Sequence, residues 1–145
     1  MRCVVIGFGS TIRSDDGIGP RIARRVKRLA RSCDVLVFER QSLTPDLASD
    51  IQDADRVIFI DASAEQASGA IREQWIEAEA DASVAMVHFL EPSALLEWCR
   101  RTSGKSPEGV LITVGGSNFE IGETLSPEVQ QTIPAIVKRT LELIR

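Results

Sequence analysis

The sequence predicts an α/β domain, a three-layer sandwich in which a twisted, mostly parallel five-stranded sheet carries helices on both faces. Three observations lead there. Short continuous apolar runs, Cys3-Val4-Val5-Ile6, Val35-Leu36-Val37-Phe38 and Val57-Ile58-Phe59-Ile60, have the pattern of strands covered on both sides. Amphipathic helical stretches alternate with these runs, as parallel strands joined by crossovers require. The 145 residues contain no repeat, low-complexity tract or linker, so one domain spanning 1–145 is expected.

Cys3 to Ile6 is the first strand, and Gly7-Phe8-Gly9-Ser10 turns tightly after it. A helix is expected from about Asp15 to Arg31. Ser14 is placed to cap it, and Asp15 and Asp16 fall in a first turn where the helix dipole favours negative charge. Ile18, Ile22, Val26 and Leu29 form its inward stripe; Arg21, Arg24, Arg25, Lys27, Arg28 and Arg31 form its wet face. Val35 to Phe38 is the second strand, Pro45 to Ile51 a short helix, and Val57 to Ile60 the third strand, with Asp61 directly after it. Gly69 to Glu77 reads as a partly exposed edge strand, and Val84 to Val87 leads as strand or extended loop into His88. Pro92 suits the first position of a helix over Ser93 to Arg101. Gly109 to Val114 is the last strand. A final helix begins at Pro127 behind Ser126 as N-cap, with Val129, Ile133, Ile136, Val137, Leu141 and Ile144 at helical spacing.

Composition narrows the function. A net charge of −4, few aromatics and no tyrosine argue against nucleic acid as a partner. No apolar run reaches the roughly 20 residues of a membrane span, and Met1 to Val5 has no signal-peptide layout, so a cytoplasmic protein is expected. Cys3, Cys33 and Cys99 are too few and too scattered for a disulfide framework or zinc knuckle and read as reduced packing residues.

The chemistry concentrates on Asp16, Asp61 and His88, the one histidine of the chain. Each falls just past the carboxyl end of a strand, the rim where open α/β sheets bind ligands. Two carboxylates and an imidazole are a donor set for a divalent metal ion. Gly7-x-Gly9 also resembles a dinucleotide fingerprint. Its third glycine is replaced by Ile12, and Asp15 and Asp16 would repel a pyrophosphate. Glu39 offers itself as a ribose-binding acid in that reading. Gly104-Lys105-Ser106 lacks the leading glycine and preceding strand of a P-loop, and there is no G-x-S-x-G elbow.

Gly7-Phe8-Gly9-Ser10 with Ser14-Asp15-Asp16-Gly17-Ile18-Gly19 resembles the N-terminal signature of the hydrogenase maturation proteases. Ile60-Asp61-Ala62 resembles that family's second site. Val87-His88 ahead of Pro92 and Leu95-Leu96 resembles its third, and Phe119 to Val129 its closing segment. The resemblance implies a phosphorylase/hydrolase-like fold and an endopeptidase that trims the C-terminal extension of a [NiFe]-hydrogenase large-subunit precursor. It assigns metal contact and catalysis to Asp16, Asp61 and His88, with the nickel delivered by the precursor rather than stored by the enzyme. Gly7, Gly9 and Gln41 are implied substrate contacts. Two chemistries stay open: nickel polarising the scissile carbonyl or activating water, or a carboxylate acting as general base with nickel as a recognition clamp. Ser10 stands where the family usually has Asn, and Glu39-Arg40-Gln41-Ser42-Leu43-Thr44-Pro45 replaces a glycine-rich stretch. A nucleotide- or small-ligand-binding protein and a noncatalytic nickel-sensing chaperone of the same fold are the alternatives.

Overall fold

The computed structural model describes residues 1–31, 34–80 and 90–145. Its strands are β1 (Cys3–Phe8), β2 (Val35–Arg40), β3 (Arg56–Ser63), β4 (Ile71–Ile76) and β5 (Glu108–Gly115). They form one sheet in the order β2-β1-β3-β5-β4. β2, β1, β3 and β5 run parallel, and β4 pairs antiparallel with β5 at the edge. The helices are α1 (Ile18–Leu29), α2 (Leu47–Ile51), α3 (Pro92–Ser103), α4 (Pro127–Gln130) and α5 (Ile133–Leu143).

Strand alternation divides the core into two layers. Val5, Ile58, Ile60, Val110 and Ile112 face α1, α4 and α5 through Ile18, Ile22, Val26, Val129, Ile133 and Ile136. Val4, Ile6, Val57 and Phe59 face α2 and α3 through Leu47, Ile51, Leu95, Leu96 and Cys99. The expected three-layer sandwich is what the chain forms. Cys3 and Cys99 are buried free thiols; Cys33 lies outside the described residues.

Three expectations need correction. The first helix does not start at Asp15. Ser14–Gly17 is a 3-10 turn, and Ser14 adopts a left-handed φ of 53°. Ser14 N donates to the Gly122 carbonyl at 2.8 Å and its Oγ to the Glu120 carbonyl at 2.8 Å, so a distant loop holds the strained residue and its hydroxyl does not cap. Leu29 ends α1 half-exposed, and Val26 is the last residue of the buried stripe. The last helix is two: Pro134 has no N–H to donate to the Gln130 carbonyl, and the chain turns at 131–132 before resuming as α5. At the end of α3, Gly104 takes a φ of 82° and stops the helix.

The topology selects one place for a ligand. After β2 the chain crosses back over β1 to build β3, so strand order reverses between β1 and β3. A crevice opens there at the carboxyl ends of the two strands.

Candidate active site

The turn following β1 brings Asp16 to this crevice. Gly9, at a φ of 140°, makes the approach possible: a β-carbon on it would lie 2.0 Å from the Asp16 carbonyl oxygen. The Asp16 carboxylate then accepts the Ser10 N–H at 2.7 Å through Oδ2. This closes a small loop between strand and turn and leaves the second oxygen without a hydrogen bond among the described residues.

Asp61 arrives from β3. It lies within the strand rather than after it, in register with Thr113 of β5. The Ala62 N–H donates to its Oδ1 at 2.8 Å. Burial pushes the Asp61 carboxyl up; that one hydrogen bond resists, and the negative charges of Asp16 and Glu91 add to the rise, reaching about 7. The 3-10 turn packs against β3. Residues 45 apart in sequence thus place two acids in one electrostatic neighbourhood, where like charge and partial burial favour a proton or a cation.

His88, the third expected member, lies outside the described residues. The chain on either side is tied to the second layer. Leu90, buried, donates to the Leu43 carbonyl at 2.9 Å. Arg101 donates to the Ala80 carbonyl at 2.8 Å while its Nε pairs with the buried Glu97 at 2.6 Å. Among the described residues no three His, Cys, Asp or Glu side chains are grouped to hold a metal ion.

Of the expected substrate contacts, Gly9 and Gln41 line an open cleft of about 340 Å³ beside Asp16, together with Ser10, Ile12, Arg24 and Glu39. Gly7 does not. It is buried under α1, where an added β-carbon would lie 2.0 Å from the Gly19 carbonyl oxygen, so its role is close packing.

Two residues escaped the sequence reading. Asp15, expected only to complement a dipole, is fully buried. Its carboxylate accepts Ser126 N at 2.7 Å, Ser126 Oγ at 2.8 Å, Ser117 N at 2.9 Å and Asn118 N at 3.0 Å. Burial pushes the group up, but the donors from Ser126, Ser117 and Asn118 outweigh burial and hold it below its ordinary range. Ser126 consequently spends its hydroxyl on Asp15 instead of capping α4. The other missed residue is Glu91, whose charge acts on Asp61. A signal for it was its position, three residues after His88 and directly before the helix-starting Pro92.

The nucleotide reading loses its geometry. The Ser10 N–H that would receive a phosphate is taken by Asp16, and Glu39 pairs with Arg24 at 2.9 Å.

No protein-family model and no curated protein matches the chain. Solved structures do match over nearly its whole length. A [NiFe] hydrogenase maturation protease HycI from Thermococcus kodakarensis superposes with a TM-score of 0.79 at 21% identity, covering 99% of this chain and 92% of that one. The hydrogenase maturating endopeptidase HybD from E. coli gives 0.79 at 23%, over 100% and 93%. A hydrogenase 2 maturation peptidase from a Thaumarchaeota archaeon gives 0.74 at 24%, over 99% and 97%. The chain has the fold of these solved structures.

Proposed function

We propose that this protein is an endopeptidase that removes the C-terminal extension of a [NiFe]-hydrogenase large-subunit precursor after nickel insertion. The observation that carries the reading is the pairing of Asp16 and Asp61 at the crevice between β1 and β3. The names of the three structural neighbours agree with it.

The residue types fit the task. Two carboxylates that repel one another are relieved by a divalent cation, and His88 would add the nitrogen donor that nickel favours. In this reading the metal belongs to the substrate and is bound weakly by the free enzyme, so cleavage reports on metal insertion. Asp16 and Asp61 grip the substrate-borne ion. In the other chemistry left open by the sequence, Asp16 or Asp61 takes the proton of the attacking water and nickel serves only as a recognition clamp. The cleft past Gly9 and Gln41 receives the peptide next to the bond that is cut. No helix of the described residues is long and apolar enough to cross a membrane, and we place the reaction in the cytoplasm, where the precursor would be assembled.

The test is incubation with metallated precursor, read by the mass of the released peptide. Wild type should release one C-terminal fragment from the nickel-loaded precursor and none from the nickel-free form. Asp16→Ala and His88→Ala should lose processing by about a thousand-fold or more while keeping the wild-type circular dichroism spectrum. Equal cutting of the nickel-free precursor refutes the metal checkpoint, and normal cutting by both variants refutes the site.

A further inference from the structure

The exposed face of α1 carries Arg21, Arg24, Arg25 and Arg28 at spacings of three and four, so the four guanidinium groups lie along one side of the helix. They line a shallow groove of about 180 Å³ against Gln130 of α4 and Ile133 of α5. The positive charge is local, in a chain whose net charge is −4. Arg21 donates to the Glu123 carbonyl and Arg24 pairs with Glu39. Arg25 and Arg28 make no ion pair or hydrogen bond among the described residues. Arg24 lines this groove and also the cleft beside Asp16. Arg24 is thus the boundary residue that the groove and the cleft share.

We infer that the arginine groove of α1 binds an acidic segment of the precursor lying outside the cleaved bond, guiding its tail to Asp16 and Asp61. This rests on the proteolytic reading above. The seven helical steps from Arg21 to Arg28 rise about 10 Å, the span of roughly three extended residues. The occupant is thus a short acidic stretch. A peptide is favoured over nucleic acid because no aromatic ring lines the groove for bases to stack on. Arg25 and Arg28 are free to form forked contacts with incoming carboxylates.

Fluorescence anisotropy of the full chain with labelled hexaglutamate at low salt tests the groove directly. Arg25→Glu and Arg28→Glu should each weaken binding by about five-fold or more. Lys27→Glu makes the same charge change away from the groove and should stay within about two-fold. Equal weakening by all three, or tighter binding of labelled hexathymidylate than of hexaglutamate, overturns the inference. With nickel-loaded precursor, Arg25→Glu should raise KM by a similar factor at unchanged kcat, and an unchanged KM overturns it too. No cleavage by the wild-type chain refutes the proteolytic reading itself and removes the proposed occupant, an outcome distinct from a failure of the groove.

Discussion

Asp15 and Asp61 are acids of one rim held in opposite electrostatic states. Asp15 is enclosed by N–H and O–H donors from the loop that precedes α4, and its charge is satisfied and kept. Among the described residues Asp61 has one donor and two acidic neighbours, which with burial push its carboxyl up to about 7. A carboxylate already surrounded by donors from Ser117, Asn118 and Ser126 has little left to offer a ligand. One that is poorly solvated and repelled by its neighbours has much to gain from a cation. The pair separates an acid that builds the rim from an acid available for chemistry at it.

Asp15→Asn should break the first state. The amide turns an NH2 toward donors that need an acceptor, and a loss of about 2–4 kcal/mol in urea unfolding is expected. A loss under 1 kcal/mol would show that the loop is held by other contacts. The pH dependence follows from the lowered pKa. The Asp15 contribution is complete above its unfolded value near 3.9 and is lost as pH falls through the still lower folded value. The acid limb of the stability curve should therefore flatten in the variant.

Asp61→Asn should move the other way. Because the folded pKa is raised from 3.8 to about 7, the favourable contribution is present below pH 3.8 and is lost as pH rises through about 7. The variant should match wild type near pH 4 and exceed it at pH 8, by on the order of 1–2 kcal/mol after allowing for solvent screening, while processing is lost. A variant less stable than wild type at pH 8 would remove the contrast between the two acids. The smallest effect is expected for Ser126→Ala, which deletes one of the hydroxyl donors to Asp15 and should cost about 1 kcal/mol by thermal melting. A change of 3 kcal/mol would mean the hydroxyl organises the whole loop.

Much of the frame was legible. The apolar runs marked β1 and β3, because strands buried on both faces leave no room for alternation; the run of β2 located that strand too but not its place, since β2 is a sheet edge with Leu36 half-exposed. Placing Asp16 and Asp61 past strand ends pointed to one rim, because parallel strands align their carboxyl ends, although Asp61 itself lies inside β3. The partner loop of Asp15 was not legible. Its donors, Ser117, Asn118 and Ser126, stand about a hundred residues away, and only the folded chain brings a satisfied carboxylate and a dipole-complementing one apart. The left-handed Ser14 was hidden for the same reason, since long-range bonds to Glu120 and Gly122 hold it. The break before α5 was readable from Pro134, but apolar periodicity continued across it and masked the missing donor.

One contact in the layer under α1 reaches further than packing. Gly7 and Gly19 face each other with no side chain between, and a β-carbon on Gly19 would lie 2.3 Å from the Ile60 carbonyl oxygen, one residue before Asp61. Main chain rests on main chain at the point where both acids take their bearings. Substitutions elsewhere in the hydrophobic layers can reshape side chains without altering the gauge between the two carboxylates. The spacing is set by the peptide skeleton, so drift in the interior need not detune the reaction centre, whereas a single methyl at either glycine would.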